Sequence, residues 1–171
     1  MKLIKCFFDE VLYLEPKLFK DSRGYFFESY NFKTFNDLAG KDINFVQDNE
    51  SQSKKSVIRG IHYQKNPYEQ GKLVRVLSGS IFDVAVDLRK NSKTFKKHIG
   101  VVLSETNKRM LWIPRGFGHG FQALENNTKV IYKTDNCYNK DSELTIPFDD
   151  KIININWPLE NPILSIKDMI K

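Results

Sequence analysis

Ser80-Ile-Phe-Asp-Val-Ala-Val-Asp-Leu-Arg89 is the stretch on which the fold turns. Phe82, Val84, Val86 and Leu88 fall on one side, and Ile81, Asp83, Ala85 and Asp87 on the other. That period of two is the signature of a β-strand, whose successive side chains point to opposite faces. Working outward, strands are expected at residues 57–64 and 71–76, then at 98–103, 110–113, 118–124 and 129–134. Leu77-Ser-Gly79, Arg89-Lys-Asn-Ser92, residues 104–108, 114–116 and Glu125-Asn-Asn127 supply turn chemistry between them. Many short strands at this spacing predict two antiparallel sheets in a sandwich or barrel, not a parallel sheet wrapped by helices.

The N-terminal part is more varied. Residues 1–10 read as a first strand, and 11–18 carry apolar residues around Pro16. Lys20-Asp-Ser-Arg-Gly24 is a turn by composition, and 24–30 is an aromatic, alternating strand. Phe32, Phe35 and Leu38 recur at helical spacing and stop at Gly40, so 31–38 is expected to be a helix. Strand character resumes over 43–48. The last segment, 157–171, opens with Pro158 and Pro162 and is expected to close in a short helical turn from Ser165. With no internal repeat or linker-like stretch, residues 1–171 read as a single domain.

Composition narrows the function classes. The formal charge is +6, from 27 Lys and Arg against 21 Asp and Glu. The lysines are dispersed, and no basic run is interleaved with aromatics, which argues against nucleic acid. A small phosphorylated substrate suits the charge. No run approaches the length of a membrane span, and Lys5, Asp9 and Glu10 interrupt what would be a signal peptide. Cys6 and Cys137 lie far apart without metal-ligand spacing, as expected of two reduced thiols in a cytoplasmic protein.

Pro114-Arg-Gly-Phe-Gly-His119 is a P-x-G-x-x-H element, which in cupin jelly-roll barrels forms half of a metal site. The other half, H-x-H, is here His62-Tyr-Gln64, so an amide replaces one imidazole. The cupin-like double-sheet barrel is thereby supported and metal ligation disfavoured. His119 is either a core histidine bonded to a backbone carbonyl or a group of the pocket. Val57-Ile-Arg-Gly-Ile-His-Tyr-Gln64 and Gly71-Lys-Leu-Val-Arg-Val76 bring His62 and Lys72 into one neighbourhood. A neutral imidazole can accept a proton near neutral pH. An ammonium can hold the oxyanion that forms beside it. Tyr132, on a strand alternating as Val130, Tyr132 and Thr134, is a fitting proton donor for the opposite face of a carbanion. Arg59 and His62 point to opposite faces of a regular strand, unless Gly60 hosts a bulge. Arg23, on its turn, and Arg59 together suit a phosphate.

Taken together, several blocks resemble dTDP-4-dehydrorhamnose 3,5-epimerase. They are Asp21-Ser-Arg-Gly-Tyr-Phe-Phe-Glu-Ser29, Phe45-Val-Gln-Asp-Asn49, Ile58-Arg-Gly-Ile-His-Tyr-Gln64 and Gln70-Gly-Lys-Leu-Val-Arg75 in the first half. Phe82-Asp-Val-Ala-Val-Asp-Leu-Arg89, Asn107-Lys-Arg-Met-Leu-Trp-Ile-Pro-Arg-Gly-Phe-Gly-His-Gly-Phe121 and Pro162-Ile-Leu-Ser-Ile-Lys-Asp168 complete the set. The resemblance spans nearly the whole chain. It implies a homodimeric cupin without cofactor or metal that inverts C3 and C5 of a 4-keto-6-deoxyhexose carried on dTDP. By resemblance, His62 is the base, Asp168 orients it, Lys72 steadies the enolate oxygen, and Tyr132 returns a proton. Arg23, Glu28, Gln47, Asp48, Asn49, Arg59, His119, Glu143 and Lys167 match positions that hold nucleotide or sugar, and Tyr138 one that stacks on the base. Glu50, Gly118 and Cys137 depart from the usual pattern without removing a group from this mechanism.

Overall fold

The computed structural model describes residues 1–169. In chain order they form β1 (Lys2–Phe7), β2 (Val11–Glu15), a hairpin of β3 (Phe19–Asp21) and β4 (Gly24–Phe26), and helix α1 (Phe32–Ala39). Then come β5 (Gln47–Ser53), β6 (Ile58–Gln64), β7 (Lys72–Ser78), β8 (Ser80–Asp87) and β9 (His98–Ser104). β10 (Met110–Ile113), β11 (Phe117–Ala123), β12 (Thr128–Thr134) and β13 (Glu143–Thr145) follow, with 3-10 turns at Lys140–Ser142 and Ile166–Met169. The strands assemble into one sheet ordered β1-β2-β10-β7-β12-β5 and another ordered β13-β6-β11-β8-β9. Every ladder in both is antiparallel. This is the expected cupin-type double-sheet barrel with little helix.

β8 shows why its alternation is so regular: both of its faces are covered. Ile81 and Ala85 sit between the sheets with Val74, Val76, Val130, Phe117 and Phe121. Val84 and Val86 face outward and are covered by Ile153 and Ile155, which follow β13. A third cluster lies where α1 packs on the larger sheet, and Phe35 and Trp112 are its buried centre. Their rings meet edge to face at 5.4 Å. Truncating Phe35 to alanine would cost about 3–5 kcal/mol, because transfer and cavity terms add. The helix begins where Asn31 Oδ1 accepts from the Thr34 amide at 3.1 Å. It ends at Gly40, in the left-handed region at φ 66°.

Two N-terminal expectations are corrected. Only Gly24–Phe26 of the segment 24–30 is in a ladder; Phe27 and Tyr30 turn toward the α1 cluster. The strand expected at 43–48 instead runs from Gln47 to Ser53. Ile43 and Phe45 are apolar because they pack beside α1, not because they alternate in a sheet. Among the described residues, no helix is long and apolar enough to cross a membrane. Cys6 and Cys137 are exposed, unpaired thiols.

Candidate active site

The strand bulge at Gly60 shapes the site. On β11 the register partner of His62 is His119, and the partner of Arg59 is Phe121. Three residue steps of β6 therefore span two of β11, and Arg59 and His62 share a side. A side chain at Gly60 is impossible: its Cβ would lie 2.5 Å from the Gly120 Cα, on a backbone at φ 119°. Between the sheets lies a cavity of about 380 Å³. His62, Lys72, Tyr132, His119, Arg59 and Asp168 line it, as do Asn49, Ser51, Lys167 and Ser165. Each strand contributes through its inward positions: Lys72 precedes the buried Val74 and Val76, and Tyr132 follows the buried Val130.

His62 Nε2 is 2.6 Å from Asp168 Oδ1, and Ser165 Oγ donates to the other carboxylate oxygen at 2.6 Å. Burial alone would raise the Asp168 pKa. Hydrogen bonds from His62, Ser165 and the Gly60 backbone outweigh it and hold the carboxyl below its usual range. With Nε2–H donating to that carboxylate, the Nδ1 of a neutral His62 keeps its lone pair for a proton. Lys72 is half-buried; loss of water lowers its pKa to about 8, against the attraction of Glu143 and Asp83. It is an ammonium at neutral pH, with its Nζ 5.9 Å from the Tyr132 ring centroid. Burial raises the Tyr132 pKa, with Arg59 opposing, so its phenol stays protonated and able to donate.

A second pair lies beside the first. His119 Nε2 is 2.7 Å from Asp83 Oδ1, with side chains only 7% and 0% exposed. Burial lowers the His119 pKa more than Asp83 restores it, so the ring is neutral. His119 lines the cavity and is also held inside the core, by the Asp83 carboxylate and not by the backbone carbonyl expected. Gln64 donates to the Tyr68 carbonyl and accepts from the Asn139 amide, so the amide at the cupin ligand position is spent on loop backbone. Among the described residues, no three or more His, Cys, Asp or Glu side chains converge as metal donors.

Around the mouth runs a belt of polar contacts. Gln47 donates to Asn49 at 2.8 Å and accepts from the Tyr138 amide at 3.3 Å. The Tyr138 hydroxyl donates to Glu143 at 2.8 Å, and Glu143 pairs with Lys167. The Tyr138 ring is half-exposed and available for stacking. Three expected residues lie apart. Asp48 is exposed and pairs with Lys133 at 2.9 Å, because it alternates with Asn49, which lines the cavity. Arg23 is on the β3–β4 hairpin, exposed and paired with Asp21 at 2.7 Å. Glu28 is exposed and accepts from Asn31. Ser51 and Ser165 also line the cavity, and Asp83 holds His119 from behind it; no sequence motif marks their roles. In the sequence Asp83 is one of two acids, with Asp87, on the inward side of β8.

A double-sheet barrel whose cavity joins a carboxylate-held imidazole, a phenol and an ammonium defines the class: an enzyme equipped to move protons at a carbon beside a carbonyl. The family described as dTDP-4-dehydrorhamnose 3,5-epimerase matches residues 5–171. The chain belongs to that family of isomerases. It is 54% identical to a dTDP-4-dehydrorhamnose 3,5-epimerase of Shigella flexneri, over 99% of this chain and 93% of that one. A crystal structure of the Bacillus anthracis enzyme with TDP and PPi bound superposes with a TM-score of 0.96 at 49% identity, covering 99% and 97% of the two chains. A Legionella pneumophila structure in complex with dTDP-4-keto-L-rhamnose gives 0.94 at 47%, covering 98% and 89%.

Proposed function

We propose that this chain inverts C3 and C5 of dTDP-4-dehydro-6-deoxy-D-glucose, giving dTDP-4-dehydro-L-rhamnose through enolate intermediates. His62 removes the proton next to the C4 ketone, Lys72 stabilises the enolate oxygen, and Tyr132 delivers a proton from the other face. The Asp168 carboxylate holds the imidazole in its working tautomer and favours the cation that forms. Carrying this reading is the convergence of His62, Lys72 and Tyr132 on one cavity. Arg59 would hold the diphosphate, and Tyr138 would stack on the thymine. Such remote contacts fix the sugar over the base.

We further propose a homodimer, working in the cytoplasm. The hairpin exposes Phe19, Tyr25 and Phe26, and the edge strand β1 exposes Leu3 and Ile4. An apolar surface of this kind favours a partner, and a second copy would allow Arg23 and Glu28 to reach a cavity other than their own. Light scattering tests the assembly, and a monomer counts against it. The reaction is tested by NMR of the substrate in heavy water: deuterium is expected at both C3 and C5. Incorporation at one carbon only would replace this reading with a single-carbon epimerase.

A further inference from the structure

The turn that carries Asp168 is thinly anchored. From Ile163 to Met169 only Asp168 is buried; Ile166 is 90% exposed, and Met169 also faces solvent. A segment with so few buried apolar contacts opens easily unless polar contacts hold it. Backbone bonds tie it down at its start, where the Ile58 amide donates to Ile163 and the Ile163 amide to Ser56, each at 3.0 Å. Beyond that point, among the described residues, two charged side chains fasten it to the barrel. Asp168 reaches His62 at 2.6 Å and the Gly60 backbone, and Lys167 pairs with Glu143 on β13.

Glu143 stands next to the site. β13 pairs with β6 in a register that sets Glu143 opposite Gln64 and Thr145 opposite His62. One Glu143 oxygen holds Lys167, and the other accepts from the Tyr138 hydroxyl at 2.8 Å, which fixes the carboxylate in place. Its side chain is only 15% exposed, so the pair is partly shielded from the water and salt that make most surface ion pairs weak. We infer that Glu143 and Lys167 are positioning residues, an ion-pair latch that docks the C-terminal turn and so keeps Asp168 against His62. With the latch open, the turn lifts and the imidazole loses the carboxylate that sets its tautomer. The inference rests on the proposed function only for the work that His62 then does; the latch belongs to the free protein.

The test reads the His62–Asp168 bond itself. Full-length protein labelled with 15N-histidine is studied by NMR without nucleotide, so contacts of Glu143 or Lys167 with a ligand do not enter. A ring N–H bonded to a carboxylate gives a downfield proton signal only while the bond keeps water out. Two such signals are expected in the wild type, one from His62 and one, the internal control, from His119 on Asp83. In Lys167→Met the His62 signal should broaden beyond detection while that of His119 stays. kcat for substrate deuteration should fall several-fold in the same variant. Exchanging the charges, Glu143→Lys together with Lys167→Glu, should restore the His62 signal, because it rebuilds the pair from neither original side chain. An undisturbed His62 signal in Lys167→Met would overturn the inference. So would a charge exchange that leaves the His62 signal absent while His119 keeps its own. Wild-type protein that shows both signals yet takes up no deuterium in the substrate would instead overturn the epimerase reading.

Discussion

The two histidines of the cavity are register partners on neighbouring strands, and each is held by an aspartate at nearly the same distance, 2.6 Å for His62 and 2.7 Å for His119. Their surroundings differ. His62 is 24% exposed, and its aspartate sits on the C-terminal 3-10 turn, where Ser165 holds the second oxygen. His119 and Asp83 are sealed in the core, and the second oxygen of Asp83 has no hydrogen-bond partner among the described residues. An identical pair therefore yields two properties. Where the ring is partly exposed it lies open to whatever enters the cavity; where it is sealed, burial keeps it neutral.

Breaking the first pair should have the largest effect. His62→Ala is expected to slow deuterium exchange by about 10²–10⁴, while calorimetry finds dTDP affinity within a few-fold of wild type. Full exchange activity in that variant would remove the distinction between the histidines. Next comes Lys72→Met, which loses a preorganised donor worth about 2.7–4 kcal/mol and should lower kcat about 10²–10³ with little change in KM. Ser165→Ala removes a hydrogen bond to the Asp168 carboxylate and one from the Asp168 amide; a bond to a charged group is worth about 1.5–3 kcal/mol, so kcat should fall about tenfold or more. An effect as large as that of His62→Ala would mean that Ser165 does more than hold the carboxylate.

The smallest effect concerns stability. Because the fold disfavours charged His119, its pKa is lower folded than unfolded. The stability linked to it is complete above the unfolded value, about 6.5, and is lost as pH falls through the folded value. His119→Gln should therefore flatten the decline of Tm between pH 7 and pH 5. An unchanged slope would show that His119 is not the buried neutral group of the comparison.

How much of this was legible depends on what each strand faces. β8 could be read at once because both of its faces meet apolar neighbours. β5 could not, since its inward residues Gln47, Asn49 and Ser51 serve the cavity and its mouth, and their polarity erases the apolar alternation. β13 has three half-buried residues, too few to show a period. Gly60 advertised the bulge that brings Arg59 and His62 to one side, because a glycine within an apolar strand invites one. The His62–Asp168 contact joins residues 106 apart in sequence, with no local pattern to announce it. Resemblance alone supplied it. Asp83 shares its side of β8 with a second acid, Asp87, and its partner His119 could come only from the pairing of β8 with β11.

The central claim is that protons leave and return on opposite sides of the bound sugar, with His62 on one and Tyr132 on the other. Tyr132→Phe in heavy water, with NMR reporting both label and configuration at C3 and C5, tests it most directly. The account predicts deuterium entering with retained configuration, because the base can still remove a proton and return a deuteron from its own side. Inversion at the wild-type rate in that variant would contradict it.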